Sequence, residues 1–306
     1  MNAHSPPRLS LIERAAQVYD FDAAVRRRDE AVTESQGDPA PATPLPTDDT
    51  QSNDVASAPR AARAITDPHR GTIDRTALEE RGFVLPDAPA GVLAEELRII
   101  KRSLLAAVRD KPPGKGQVVM ICSARPDDGK TFSAVNLGLS LAGERDIEVL
   151  LVDGDVAKPE VLSTLGLEGG TGLVDALMDP FVVPESLIIQ TDLPGLSVLP
   201  AGRQAHNATE LLSSARMAKI LVELTVGHPR RLVLFDSPPA LAASAASAIA
   251  GHVGQVVMVV RADRTSETDL REAVGLVDAC GDVKLILNGA AYASGKKRFS
   301  YYGPEQ

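Results

Sequence analysis

The chain has 306 residues, 44% of them hydrophobic, enough for one large α/β domain plus a smaller appendage. Aromatics make up 3% and Trp is absent, so the core must be built from Ala, Val, Leu and Ile, which argues against stacking platforms for single-stranded nucleic acid. A formal charge of −9 supplies no general pull toward nucleic acid or an anionic membrane, and the only cysteines, Cys122 and Cys280, rule out a disulfide framework or a cysteine-based zinc site.

The first segment, residues 1–33, contains a predicted amphipathic helix over 9–30. Ser10 and Glu13 form a capping box, and Leu11, Ile12, Ala15, Ala16, Val18 and Tyr19 follow at helical spacing. Residues 34–72 are rich in Pro, Ala, Asp, Ser and Thr and nearly free of large apolar side chains. Such a stretch cannot bury enough surface to offset its ordering entropy, so it reads as a disordered linker. No signal peptide and no run long enough to span a bilayer is recognisable, so a cytoplasmic location is expected.

The main domain is expected over 73–290, with a flexible tail over 291–306. GVLAEELRIIKRSLLAAV is helical in pattern. Six short β-branched runs follow: QVVMICSA, IEVLLVDGD, LSVLPAG, RRLVLFDSPP, GQVVMVVRA and VKLILNGA. They alternate with Ala/Leu-rich helical stretches, the pattern of a mostly parallel sheet covered by helices on both faces.

The first strand runs into Ser123-Ala-Arg-Pro-Asp-Asp-Gly129-Lys130-Thr131 and then a helix. Gly-Lys-Thr at a strand-to-helix junction is what a phosphate cradle needs. Backbone N–H groups face the anion, Lys130 offsets its charge, and the Thr131 hydroxyl can ligate Mg²⁺. Asp153 and Asp155 close the second strand and Asp236 closes another, at the carboxyl edge where such sheets bind ligands. A lone strand-ending Asp is as readily a helix cap, but three together with Gly-Lys-Thr point to Mg²⁺ and nucleotide chemistry.

SARPDDGKT, VLLVDGDVAKP and RLVLFDSPP together resemble the bacterial P-loop tyrosine kinases that govern polysaccharide export, in particular the autokinases of exosortase-linked exopolysaccharide loci. The likeness covers about residues 91–290 and reaches the SLIERA start of the N-terminal helix. It implies a P-loop NTPase-type fold and an ATP- and Mg²⁺-dependent autokinase. In that reading Lys130, Asp153 and Asp155 are catalytic, and Thr131, Asp153, Asp155 and Asp236 serve the metal. Nucleotide contacts fall on Pro126, Asp127, Asp128, Gly129, Lys130, Thr131 and Phe132, with Asn288 against the adenine. Tyr301 and Tyr302 are the phosphoacceptors, and Glu95, Arg98 and Lys101 form a contact between copies. The implied partners are a second copy, a membrane chain-length regulator of polysaccharide export and a cognate tyrosine phosphatase, with no nucleic acid and a peripheral place at the inner membrane through the regulator.

Asp127 and Ala157 depart from the family pattern, which has Gly and a basic residue there. They keep open a weakly catalytic regulator of an exporter. A spatial-organising ATPase of the septum-placing or partition type is the other alternative, but its signature lysine is replaced by Arg125.

Overall fold

A computed structural model describes residues 69–89 and 91–290; the helix expected at 9–30, most of the linker, and Tyr301 and Tyr302 lie outside them. In chain order the strands are β1 (His69–Gly71), β2 (Val118–Ser123), β3 (Glu148–Asp153), β4 (Ile189–Thr191), β5 (Leu196–Leu199), β6 (Arg231–Asp236), β7 (Gln255–Arg261) and β8 (Val283–Asn288). The helices are α1 (Arg75–Glu80), α2 (Val92–Arg109), α3 (Lys130–Ala142), α4 (Val161–Leu165), α5 (Leu173–Met178), α6 (Ala208–Leu212), α7 (Ala215–Thr225), α8 (Ala245–Ala250) and α9 (Glu267–Leu276). The strands join in one sheet of order β1-β4-β5-β3-β6-β2-β7-β8, parallel throughout except where β4 meets β5.

The reason for the near-continuous apolar runs is visible in β2. Val118, Met120 and Cys122 enter the core on one face of the sheet, while Val119 and Ile121 enter the core on the other. The same alternation holds in β3 and β6, whose side chains divide between the two cores. With helices on both faces neither side of a central strand sees water, so no polar alternation is needed. Each fully buried Leu or Val there contributes about 1.5–3 kcal/mol. Both cysteines are buried and free, and burial pushes the Cys122 thiol up to about 11, so it serves as an apolar filler.

Two differences from the sequence reading concern short edge elements. β1 lies inside the 34–72 stretch read as linker, so regular structure is already present at His69, ahead of Ile73. β4 was not anticipated either. HRG and IQT carry no apolar run, and both are held by backbone pairing and by Asp192, which accepts from the Ile73 N–H at 2.8 Å and pairs with Arg75 at 2.5 Å. Ladder bonds and a single polar clamp leave no hydrophobic periodicity to read.

Candidate active site

The topology brings the ends of β2, β3 and β6 side by side, because β6 pairs with both others and Asp153 lies opposite Asp236 in the register. The chain then has to turn sharply after each strand. After β2 it does so through Ala124–Gly129, which leads into α3. Ser123, standing where a glycine is usual, donates its hydroxyl to the Arg125 carbonyl at 2.8 Å, and the Arg125 N–H donates to Asp128 Oδ2 at 3.0 Å. From the other side Asn288 Nδ2 donates to the Asp128 carbonyl at 2.9 Å. A Cβ on Gly129 would lie 2.1 Å from that amide, and its φ of +97° is left-handed, so only glycine fits beneath the clamp. The first-turn N–H groups of α3 have no intrahelical acceptor and face outward, ready for an anion.

Asp127 has a φ of +62°, in the left-handed region that the family's glycine enters freely. The aspartate tolerates it at modest cost and places an exposed carboxylate at the lip of the cradle. Lys158 Nζ lies 3.9 Å from it and 2.9 Å from Glu160, so the nearest cation after Ala157 is shared between two acids.

Lys130 points from the cradle to the carboxylates. Its Nζ is 2.8 Å from Asp155 Oδ2, 4.0 Å from Asp236 Oδ2 and 3.2 Å from Thr131 Oγ1, and the Thr131 hydroxyl donates to Asp236 Oδ2 at 2.7 Å. All of these side chains are buried. Burial disfavours the Lys130 charge, but Asp236 and Asp155 outweigh it and hold its pKa above the ordinary value. Asp153 is pushed up to about 7, first by burial and then by the charge on Asp236. Asp236 is pushed up to about 6 by burial, with Lys130 and the Thr131 hydroxyl pulling the other way.

One oxygen of Asp153 accepts the Val161 N–H at 3.0 Å, which ties it to the start of α4; its Oδ1, and Oδ1 of Asp236, have no hydrogen-bond partner. Gly154 makes the Asp-Gly-Asp arrangement possible. A Cβ there would sit 1.8 Å from the Phe235 ring, so the turn can close onto β6 only without a side chain. The unpartnered oxygens beside a threonine hydroxyl form an all-oxygen donor set, which suits a hard divalent cation. Among the described residues no three acidic, His or Cys side chains are arranged to hold an ion alone.

A cleft of about 560 Å³ opens over this floor, lined by Pro126, Asp127, Gly129, Lys130, Thr131, Phe132 and Asp155 from the expected set. Pro238 of the RLVLFDSPP motif also lines it, as do Arg81, Phe83, Glu160, Thr164 and Ala242, which no motif in the sequence marked. Three expected residues sit differently. Asn288, expected against the adenine, spends its amide on the Asp128 carbonyl and so buttresses the phosphate loop. The Phe132 ring packs against Phe83 with centroids 4.8 Å apart, leaving its backbone as the part that faces an anion. On α2, Glu95 and Arg98 pair with each other at 2.7 Å on the surface, whereas Lys101 reaches inward to Glu144 at 2.6 Å and the Ser140 carbonyl at 3.1 Å. Lys101 is therefore a tether between α2 and α3, and nearby Arg102 and Arg109 carry the exposed positive charge.

No protein-family model matches the chain. The tyrosine-protein kinase YwqD of Bacillus subtilis (strain 168) is 29% identical over 226 residues, spanning 73% of this chain and 92% of its own. The crystallised kinase domain of VpsO is 34% identical with a TM-score of 0.55, covering 64% of this chain and 94% of that one. The chain belongs to the bacterial tyrosine-protein kinase family. The succinoglycan biosynthesis transport protein ExoP of Rhizobium meliloti (strain 1021) is 33% identical over 159 residues, half of this chain but only 19% of ExoP. The fold is of the P-loop NTPase type, an α/β scaffold shared with the kinase domain of Escherichia coli ETK at a TM-score of 0.60. No helix among the described residues is long and apolar enough to cross a membrane.

Proposed function

We propose that this chain transfers the γ-phosphoryl group of ATP to tyrosines in its own tail, Tyr301 and Tyr302, between copies, and that it does so in exopolysaccharide synthesis or export. The observation that carries the reading is the convergence of Lys130 and Thr131 with Asp153, Asp155 and Asp236 under one cleft. The arrangement suits a reaction whose catalysis is mostly positioning and charge offset. The cradle N–H groups and Lys130 hold the phosphate chain. The phenol oxygen bonds to the γ-phosphorus as its bond to the bridging oxygen breaks, ADP departs, and the phenolic proton passes to the free oxygen of Asp153. Mg²⁺, held through Thr131 and through waters on Asp155 and Asp236, would supply further charge neutralisation of the phosphates.

The polysaccharide context is supported by the naming of ExoP, and the tail reading by the sequence: the chain has four tyrosines, two of them adjacent in its last six residues. A membrane chain-length regulator that stimulates the kinase, and a phosphatase that resets it, complete the reading. The partition-type alternative loses ground at Arg125, which stands in place of its signature lysine and whose guanidinium is held by Asp269 of α9 at 2.7 and 2.9 Å.

The test is incubation with Mg²⁺ and ATP followed by mass spectrometry of the tail. Wild type should gain phosphate on Tyr301 or Tyr302, and Lys130→Met should lose it by at least about a thousandfold. Equal labelling in the two proteins would defeat the assignment of the cleft.

A further inference from the structure

One wall of the cleft is not accounted for by the phosphate cradle. Phe83 and Phe132 form a tilted pair at 43°, and the Arg81 guanidinium carbon lies 5.6 Å from the Phe83 ring centroid. Thr164 borders them, and Phe132 is only half-buried, so an aromatic edge is open to the cleft.

The sheet order says which substrate meets this wall. β2, which carries the phosphate loop, has β7 and β8 on one side and β6 and β3 on the other. The loop's β8 flank is closed by Asn288. The cleft runs the other way, past Lys130 and Asp155 to α4 and Arg81, and α3 lies over β3 and β6. Lys130, its Nζ 2.8 Å from Asp155 and 4.0 Å from Asp236, would draw the terminal phosphate toward that side of the loop. What lies beyond that phosphate is the acceptor, and the nucleoside extends from the opposite end of the chain.

We propose that Arg81, Phe83 and Phe132 seat the acceptor's phenol ring and that this wall restricts the acceptor to tyrosine. The proposal rests on the kinase reading above and names the side chains that select its substrate. The floor carboxylates are deeply buried: Asp153 is 1% exposed and Asp236 0%. A serine or threonine hydroxyl, one bond from Cβ, stops short of such a floor, whereas a phenol carries its hydroxyl past a whole ring. That ring then lies against the Phe132 edge with the exposed Arg81 as outer lip. An aromatic contact of ordinary strength corresponds to about a two- to tenfold gain in binding.

The test uses the full-length protein carrying Tyr301→Phe and Tyr302→Phe as enzyme, with a synthetic peptide of residues 296–306 as acceptor. Adding Arg81→Ala should raise the peptide KM by about three- to tenfold, with kcat at saturating peptide held within about twofold. Preference for the peptide over its Tyr-to-Ser counterpart should fall with it. Arg81 is on the surface, so its replacement probes the wall without disturbing the core. A rise in the ATP KM with an unmoved peptide KM would seat the base on this wall and overturn the proposal, as would no change in either. If the enzyme with the intact wall labels no peptide at all, the kinase reading itself fails; labelling with an insensitive KM defeats only the tyrosine seat.

Discussion

The cleft floor and the outer face of α2 carry the same kinds of charged pair at nearly the same distances, yet they differ in what they contribute. Lys130 and Asp155 stand 2.8 Å apart with side chains 8% and 5% exposed; Glu95 and Arg98 stand 2.7 Å apart at 34% and 44%. In water the second pair costs little to form and contributes little. The first is stripped of solvent and shares its space with two more carboxylates, so it costs the fold stability and leaves the site primed for phosphate and metal. Distance alone does not separate a working charge cluster from a solvated face; burial and the count of unpartnered oxygens do.

Replacing Asp153 should break the comparison most sharply. Asp153→Asn removes the group assigned to receive the phenolic proton, and tail phosphorylation should drop by about 10²–10⁴-fold. The same change should stabilise the nucleotide-free, metal-free protein. The Asp153 pKa rises from 3.8 to about 7 on folding, so the folded state holds the proton more tightly than the unfolded chain. Wild-type stability therefore falls as pH rises from about 4 to about 7, and the asparagine variant escapes that part of the fall. Denaturant melts with chelator present should show it about 1–2 kcal/mol more stable than wild type at pH 8, with the gap closing toward pH 4. A gap that widens on acidification would contradict the account.

On α2 the same kind of change should scarcely touch the fold. Glu95→Ala with Arg98→Ala should shift stability by about 0.5 kcal/mol or less, as expected of an exposed pair one turn apart. Its effect should appear in assembly, with self-association by light scattering weakened. An unaltered assembly would remove these two residues from the subunit contact.

The sequence displayed one region of this molecule far better than the other. Five of the six strands read from the sequence were legible because two apolar cores press on them from both faces, whereas β8, at the sheet edge, showed through its apolar run although Leu285 and Leu287 are exposed; Gly-Lys-Thr and three strand-ending aspartates fell where the sheet gathers them. The roles of the pieces that complete the site were not legible. Gly154 matters because the Phe235 ring passes beneath it, more than eighty residues away in the chain. Asn288 reaches the Asp128 carbonyl from the end of β8, and Arg81 and Phe83 join the cleft from a segment with no motif. Lys101 was expected at a contact between copies, but its long side chain found Glu144 and the end of α3 instead of solvent. Local spacing carries strand and loop identity, whereas cross-chain contacts between single residues leave no periodic trace.

The central claim is that the cleft of one copy modifies the tail of another. The direct measurement mixes two full-length proteins with Mg²⁺ and ATP. The first, Lys130→Met, has an intact tail and a disabled cleft; the second, Tyr301→Phe with Tyr302→Phe, has an intact cleft and no tail acceptor. Mass spectrometry should find phosphate on Tyr301 or Tyr302 of the Lys130→Met protein only when both are present, at a rate that grows with the concentration of the second. A Lys130→Met tail that stays unmodified while wild type labels itself would mean transfer within one copy, and would contradict the account.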